Sequence, residues 1–240
     1  MARVTITDTP PQATDLAADR LAEAIATGRG EGRTVHLSVA GGNTPRATYH
    51  RLAGLVDDWG GVELWLGDER MVPPDDPESN YRLLSETLLQ PTGAVAHAVP
   101  TDGSAEEAAS AYARDIRQRV PAGADGVPAL DLALLGLGED GHTASLFPDA
   151  PALDVRGEVC VAVHDAPKPP PDRVSLTLDV LRAARASLIL AVGNGKASAV
   201  AGVLSGPDPA VPASLLADGP LELIVDRTAA GEIPDGAAAT

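Results

Sequence analysis

The sequence predicts an α/β fold built on a mostly parallel, doubly wound sheet with helices on both faces. Three observations predict this fold class. Strand patterns and helix patterns alternate along most of the chain, several predicted strands are nearly all apolar, and glycine-rich turns follow some of these strands. Continuous apolar strands that alternate with helices are typical of a Rossmann-like sheet, in which helices cover the strands from both sides.

In the first half of the chain, apolar spacing predicts strands over residues 3–7, 34–40 and 62–67, the first of them at an edge of the sheet. A helical pattern covers residues 13–26 and is ended by Gly28 and Gly30. A second helix begins after a glycine turn, with Thr44 as the N-cap and Pro45 at the first helical position. A polar, proline-rich stretch over residues 68–78 then leads to a helix near residues 80–89.

In the second half, Ser104 and Glu107 form a capping-box signature that opens a helix reaching about Val120. Further strands are predicted over residues 130–135, 158–163, 174–178, 187–192 and 221–225. Short helices are predicted over residues 181–184 and 196–204. The tail over residues 229–240 has the composition of a frayed terminus.

Charge and composition exclude several classes of protein. The 18 basic and 34 acidic residues give a formal net charge of −16, which argues against binding to nucleic acid or to an anionic membrane. The single cysteine, Cys160, excludes an intrachain disulfide framework. No apolar run reaches the ~18 residues of a membrane span, and the N-terminus has no signal-peptide pattern. We expect a soluble, cytoplasmic protein that forms one domain over residues 1–240.

A glycine turn between a predicted strand and a predicted helix is the first candidate binding segment. Gly41, Gly42 and Asn43 lead into Thr44 and Arg46 at the start of the helix. Bare backbone N–H groups and the positive end of the helix dipole suit an anion such as phosphate. An ordinary strand-to-helix turn is the alternative.

The second candidate is Lys196, which follows Gly195 after a predicted strand and is one of only two lysines in the chain. A nucleotide-binding P-loop is rejected here, because Leu190 stands where its first glycine is required and Ala197 where its Ser or Thr is required. A lysine at a glycine-rich helix entry still suits a phosphate. The alternative is a solvated surface lysine.

The third candidate is the turn that carries Asp140 and His142. Its glycines have the spacing of the dinucleotide-binding fingerprint. However, Pro148 follows within a few residues, and two carboxylates stand where pyrophosphate would lie. We interpret the glycines as a tight turn that presents both side chains to a cleft. Histidine is the side chain best suited to proton transfer near neutral pH. A packed loop histidine is the alternative.

The fourth candidate is the Asp68-Glu69-Arg70 segment at another strand end. Its side chains suit hydroxyl binding, general-base chemistry and anion pairing, whereas a surface ion pair is the alternative. A metal held by Asp68, Glu69 and His142 is a further possibility that no paired ligand spacing supports, so no metal is expected. The chain has no Gly-x-Ser-x-Gly elbow of a serine hydrolase, and Cys160 is expected in the core.

Taken together, these segments resemble the 6-phosphogluconolactonases, which share a fold with the glucosamine-6-phosphate deaminases. The resembling segments run in the family's order: Ser38-Val-Ala-Gly-Gly-Asn-Thr-Pro, Gly67-Asp-Glu-Arg-Met-Val-Pro with Ser79-Asn80, Leu135-Gly-Leu-Gly-Glu-Asp-Gly-His-Thr-Ala-Ser-Leu-Phe-Pro148, Arg173-Val-Ser-Leu-Thr and Gly193-Asn-Gly-Lys196. Deaminases typically continue Ile-Ala-Phe-Asn-Glu-Pro after the histidine, where this chain has the lactonase form. Asp68-Glu69-Arg70 is also lactonase-like.

The resemblance implies hydrolysis of 6-phospho-D-glucono-1,5-lactone to 6-phosphogluconate in the oxidative pentose phosphate pathway, without a cofactor or metal. It implies that His142 is the general base, that Asp140 orients it or contacts sugar hydroxyls, and that Asp68 also contacts hydroxyls. A positive pocket for the sugar phosphate would come from the remaining candidates, Gly41, Gly42, Asn43, Thr44, Arg46, Arg70, Arg173 and Lys196. Which cation meets the phosphate and which meets the lactone stays open.

Two other functions stay open at this point. A deaminase or isomerase would use the same fold for different chemistry and would release ammonia from glucosamine 6-phosphate. A sugar-phosphate sensor domain would bind its ligand without turnover, although the chain has no basic DNA-binding region and does carry the Asp140-Gly141-His142 turn. We expect a monomer whose partner is a small sugar phosphate.

Overall fold

The structure is a computed structural model that describes residues 2–233. The strands within these residues are β1 (Arg3–Thr7), β2 (Val35–Val39), β3 (Val62–Leu66), β4 (Asp68–Arg70), β5 (Val95–His97), β6 (Leu132–Gly136), β7 (Cys160–Val163), β8 (Arg173–Leu176), β9 (Ser187–Ala191) and β10 (Leu221–Asp226). The α-helices are α1 (Pro10–Gly30), α2 (Asn43–Leu55), α3 (Asn80–Leu84), α4 (Gln90–Thr92), α5 (Ala105–Arg119), α6 (Leu178–Ala183) and α7 (Ala197–Leu204). A π-helical turn, Ser85–Leu89, joins α3 to α4.

The main sheet is parallel throughout the described residues, in the order β1-β10-β9-β6-β2-β3-β5. Strands β2 and β9 of this sheet are buried along their whole length, and helices such as α1 and α2 pack against the sheet. The predicted fold class is therefore confirmed. Since the strands run in one direction, their carboxyl ends meet at one edge, where ligands bind in sheets of this kind.

A second, smaller sheet leaves the main one at Gly67. Strands β4, β8 and β7 pair antiparallel, with Asp68 opposite Ser175 and Arg70 opposite Arg173. Gly67 links the two sheets, since its N–H donates to Val39 and its carbonyl accepts from the Leu176 N–H at 2.9 Å. The sequence pattern did not predict β4, because its three residues are polar and their burial depends on hydrogen bonds rather than on apolar contact.

The first two helices begin at residues other than those predicted. Thr9 caps α1 through a capping box with Gln12, and Gly28 lies inside the helix, where a Cβ would come within 2.6 Å of Val35 on β2. The prediction of Thr44 as the N-cap of α2 is wrong. The cap is Gly42, whose φ of +94° favours glycine, and Thr44 lies in the first helical turn.

The remaining differences concern short elements. Strand β5 was not predicted, α6 begins earlier than residue 181, and Lys196 lies in a 3-10 turn (Asn194–Lys196) immediately before α7. Ala229 is buried, and its N–H donates to the Asp226 carboxylate, so residues 229–232 form turns rather than a frayed end. The rest of the predicted frayed tail, residues 234–240, lies outside the described residues. Cys160 is buried on β7, as expected.

Candidate active site

A cavity of about 470 Å³ opens at the carboxyl edge of the main sheet. The chain segments that follow β2, β3, β6 and β9 all reach it, because parallel strands end at the same edge. The cavity brings together most of the residues predicted to form the site: Gly41, Gly42, Asn43, Thr44, Asp68, Arg70, His142, Arg173 and Lys196.

His142 lies in the cavity wall with its ring held by Asp140. Its Nδ1 lies 2.5 Å from Asp140 Oδ1, and its backbone N–H donates to the same oxygen at 3.2 Å. Partial burial by itself would raise the pKa of the Asp140 carboxyl, but the hydrogen bonds and charge of His142 outweigh burial and lower that pKa. The carboxylate therefore accepts a hydrogen bond from Nδ1–H, which leaves Nε2 of the neutral ring as the basic nitrogen.

The turn that carries this pair depends on two glycines. At Gly138 a Cβ would lie 2.0 Å from His142 Nδ1 and 2.3 Å from Asp140 Oδ1. Gly141 has a φ of +82°, and a Cβ there would meet Val211 at 2.7 Å. A backbone hydrogen bond of 2.8 Å from Gly138 to the His142 carbonyl closes the turn. The glycines that resembled a dinucleotide fingerprint thus make room for a carboxylate and an imidazole.

Phe147 links the histidine to a buried cation. Its ring lies 4.6 Å from the His142 ring, centroid to centroid, and the Arg173 guanidinium carbon lies 5.7 Å from the same centroid. Phe147 and Arg173 are each only 5% exposed. The phenyl ring therefore restricts rotation of the His142 ring, and its face attracts the guanidinium of Arg173.

Asp68 presents a buried carboxylate whose two oxygens have different partners. Ser145 Oγ donates to Oδ2 at 2.6 Å, while the Asn80 amide donates to the Asp68 carbonyl at 2.8 Å and approaches Oδ1 at 3.3 Å. These hydrogen bonds hold the side chain in one rotamer. Its position at the cavity wall suits an acceptor for substrate hydroxyls.

Glu69 has a structural role instead. Its carboxylate accepts hydrogen bonds from the backbone N–H groups of Arg70, Asn80 and Tyr81, each at 2.8 Å, and from Ser79 Oγ at 3.0 Å. Burial raises the pKa of the Glu69 carboxyl although these hydrogen bonds oppose the shift. Among residues 2–233, no group of three or more His, Cys, Asp or Glu side chains has the arrangement of a metal site.

Four cationic side chains line the cavity, Arg70, Arg173, Lys196 and Lys168. Burial lowers the pKa of Lys196 and also that of Arg173, so both cations lack part of the hydration they would have in water. Arg70 has a buried Nε with no hydrogen-bond partner among the described residues. Arg70 Nη1 also lies 3.7 Å from the Glu78 carboxylate. Incompletely hydrated cations of this kind favour an anionic ligand, whose charge would offset the cost of their burial.

The N-terminus of α2 adds backbone donors to the same wall. No side chain of the described region caps this helix, because its N-cap is Gly42. The first-turn N–H groups at Asn43 and Thr44 are therefore available to a ligand anion. Gly41 must also be a glycine, since a Cβ there would overlap the Asn80 amide at 1.8 Å.

Arg46 is the predicted binding residue that does not line the main cavity. It lines an adjoining pocket of about 420 Å³ together with Arg70 and Arg82, and its guanidinium lies 3.8 Å from Glu86. Asn43, three residues before Arg46 on the same helix face, lines both pockets, whereas Thr44 lines only the main cavity.

Sequence reasoning assigned no role to four residues of the site: Asn80, Ser145, Phe147 and Lys168. The first three lie inside the motifs but are uncharged, so their roles depend on contacts with Asp68 and His142. Lys168 did carry a signal. It is the other of the two lysines in a chain of net charge −16, and both lysines line one cavity.

Comparisons with known proteins agree with this arrangement. The family described as glucosamine-6-phosphate isomerases/6-phosphogluconolactonase matches residues 8–225. The 6-phosphogluconolactonase of Streptomyces coelicolor is 39% identical over 205 residues, 80% of this chain and 78% of the relative. The human 6-phosphogluconolactonase is 42% identical over 70% of this chain and 67% of the relative. The solved structure of 6-phosphogluconolactonase from Trypanosoma brucei superposes with a TM-score of 0.88 at 28% identity, covering 98% of this chain and 99% of the other.

Proposed function

Since the chain belongs to the glucosamine-6-phosphate isomerase/6-phosphogluconolactonase family, we propose that its cavity hydrolyses 6-phospho-D-glucono-1,5-lactone to 6-phosphogluconate. This is the ester-hydrolysis step of the oxidative pentose phosphate pathway. The observation that carries the mechanism is the 2.5 Å contact between Asp140 and His142 Nδ1, at the wall of a cavity lined by four cations.

His142 is the general base of this mechanism. With Nδ1–H donating to Asp140, the ring can accept a proton at Nε2 from a water molecule in the cavity. The hydroxide formed attacks the lactone carbonyl carbon and gives a tetrahedral oxyanion. Collapse of this intermediate breaks the bond to the ring oxygen, and the imidazolium returns its proton to that oxygen. Asp140 stabilises the imidazolium between the two transfers, so no covalent intermediate is required.

The phosphate of the substrate is held by the cationic part of the wall. Lys168 and Lys196, together with the first-turn N–H groups of α2, offer donors of the kind that phosphate oxygens accept. Asp68 accepts hydrogen bonds from sugar hydroxyls. Arg70 and Arg173 add positive charge close to these groups. Such an arrangement recognises both ends of a phosphorylated sugar lactone.

The deaminase alternative lacks support from the residues after His142. In the deaminase pattern that segment supplies a further carboxylate. Here Thr143 Oγ donates to the Gly136 carbonyl at 2.9 Å, and Ser145 Oγ donates to Asp68. The segment therefore buttresses existing groups and contributes no acid of its own.

The decisive experiment is a coupled assay, because the lactone also hydrolyses spontaneously. A dehydrogenase generates the lactone in place, and its consumption is compared with and without the protein. We expect a protein-dependent rate that survives exhaustive chelation, since His142 rather than a metal activates the water. An unchanged rate on adding protein would overturn the function. Ammonia release from glucosamine 6-phosphate would establish the deaminase alternative, and tight binding without turnover would establish a sensor.

We also propose that residues 1–240 form one domain and that the enzyme works as a monomer in the cytoplasm. The hydrogen bond between Leu176 and Gly67 ties the small sheet to the main one, which favours one domain. All the groups needed for the mechanism come from one chain, which favours a monomer. Size-exclusion chromatography coupled to light scattering tests the oligomeric state, and cell fractionation tests the cellular location. Among the described helices, none is long and apolar enough to cross a membrane.

A further inference from the structure

The hairpin that joins β7 to β8 places Lys168 at the cavity. We call residues 164–172 the Lys168 hairpin; it is exposed along most of its length. Lys168 and Pro169 are the hairpin residues that line the cavity. An exposed loop loses conformational freedom when it is held in one position, so its attachments decide how often Lys168 is correctly placed.

The tip of the hairpin is attached on the inner side by Arg173. The guanidinium donates from Nη2 to the Lys168 carbonyl at 2.7 Å and from Nε to the Pro170 carbonyl at 3.1 Å. Within the hairpin, the Ala166 N–H donates to the Pro171 carbonyl at 3.1 Å. These contacts fix the tip relative to β8.

The base of the hairpin is attached on the outer side by His164. Its Nδ1 lies 2.7 Å from Asp172 at the other end of the hairpin, and its Nε2 lies 2.9 Å from Glu106 in the first turn of α5. Only a protonated imidazole carries a hydrogen on both nitrogens, so only the imidazolium can donate to both carboxylates at once. The ring therefore joins the two ends of the hairpin to each other and to a neighbouring helix.

We propose that His164 is a positioning residue: as an imidazolium it fastens the Lys168 hairpin to α5, which holds Lys168 in place for the phosphorylated ligand, and its deprotonation loosens that hold. The proposal deepens the proposed function and rests on it. His164 itself does not line the cavity, so it acts through Lys168 and leaves the proton transfers of His142 unaffected.

The charged groups that face His164 favour its charged form. Hydrogen bonds to Asp172 and then to Glu106 raise the pKa of His164 above its ordinary value of 6.5. Because the pKa of the fastened ring is raised, the fastening is complete below pH 6.5 and is lost as the pH rises through the raised value. Ligand affinity is therefore expected to fall over the same range.

The test compares wild type with His164→Gln, which is neutral at every pH, and His164→Arg, which keeps the charge. Binding of 6-phosphogluconate is measured by calorimetry from pH 6 to pH 9. Hydrogen exchange at the Ala166 amide is followed at the same pH values. His50→Gln, which changes an exposed histidine on α2, is the matched control. Comparison at equal pH cancels ionisation of the phosphate itself.

At pH 6 we expect His164→Gln to raise the Kd about threefold and to speed exchange at Ala166, as expected for loss of exposed ion pairs. By pH 9 the Kd values of wild type and His164→Gln should become equal, whereas the Kd of His164→Arg should stay low at every pH. The kcat for the lactone should be equal in all variants. A ratio of the His164→Gln Kd to the wild-type Kd that does not change with pH overturns the inference. Absence of both binding and lactone hydrolysis, with a difference in Ala166 exchange between wild type and His164→Gln that is present at pH 6 and lost by pH 9, would instead identify the proposed function as the failure.

Discussion

The imidazole of His142 owes its orientation to neighbours of three different kinds. Asp140 holds Nδ1 at 2.5 Å, Phe147 covers the ring at a centroid distance of 4.6 Å, and Gly138 leaves the space that both polar groups fill. A hydrogen bond selects the tautomer, an aromatic contact limits rotation, and a missing Cβ permits the approach. At the residue scale, the proposed chemistry therefore depends on a ring that is oriented before the substrate arrives.

Replacement of the base tests this directly. His142→Ala should lower kcat by about 10²–10⁴, the usual contribution of a positioned acid–base group, without unfolding the protein. Stopped-flow measurement with lactone generated in place gives the rate above the spontaneous reaction. His50→Ala is the matched control on the surface of α2 and should leave kcat unchanged. Turnover close to normal in His142→Ala would remove His142 from the mechanism.

At the scale of elements, β4 and α3 are positioned by one buried carboxylate. Glu69 on β4 accepts three backbone N–H groups and the Ser79 hydroxyl at the start of α3, so a three-residue strand and a short helix share one anchor. Asn80, the first residue of α3, in turn contacts Asp68 and fills the space above Gly41. The geometry of the hydroxyl-binding side of the cavity thus depends on a residue that does not line it.

Glu69→Gln should lower the free energy of unfolding by about 1–3 kcal/mol. The amide keeps one oxygen as an acceptor, but its NH₂ group faces donors that then lose their partner while buried. Urea denaturation followed by circular dichroism measures the change. Glu158→Gln removes an exposed carboxylate paired with Arg117 and should change stability by less than about 1 kcal/mol. Equal stability of the two variants would contradict the anchoring role of Glu69.

At the scale of the whole molecule, charge is distributed unevenly. The chain has a net charge of −16, yet both of its lysines and two arginines line one cavity. The net charge of the chain repels an anionic substrate, whereas the cations of the cavity attract it. Since cations close together in a buried wall cost free energy, their clustering favours a ligand that neutralises them.

The phosphate preference follows from this clustering. Gluconolactone without the 6-phosphate should have a kcat/KM at least about a hundredfold lower than the phosphorylated lactone, from the loss of two charge-assisted hydrogen bonds. Lys196→Ala should reduce that ratio, whereas Arg227→Ala, at an exposed pair with Asp8, should not. Steady-state kinetics with both lactones on the three proteins give the ratios. Equal kcat/KM for the two lactones on wild type would assign these cations to another purpose.

Cooperative unfolding tests the proposal of one domain. The small sheet shares the hydrogen bonds of Gly67 with the main sheet, and one continuous apolar core includes residues of both, such as Leu64 and Val174. We expect a single calorimetric transition with equal calorimetric and van't Hoff enthalpies. Two resolved transitions would mean that the sheets unfold separately.

Several features of this protein are determined by the sequence alone. The local spacing of apolar residues predicts the parallel strands and the long helices, because an element that buries one face repeats apolar residues with the period of that helix or strand. The ordered motifs identify the family and the Asp140–His142 turn, because those groups are only two residues apart and glycine is required between and beside them.

Tertiary structure decides the features that depend on residues far apart in the chain. Asp68 pairs with Ser175 across the small sheet, and Lys168 reaches a cavity that His142 also lines. Gly42 rather than Thr44 caps α2, because the direction in which the chain enters the helix decides which residue is the first helical one. The same start of the helix directs Arg46 to an adjoining pocket. Short-range patterns carry no information about such contacts, since the free energy that selects them arises only when distant segments pack together.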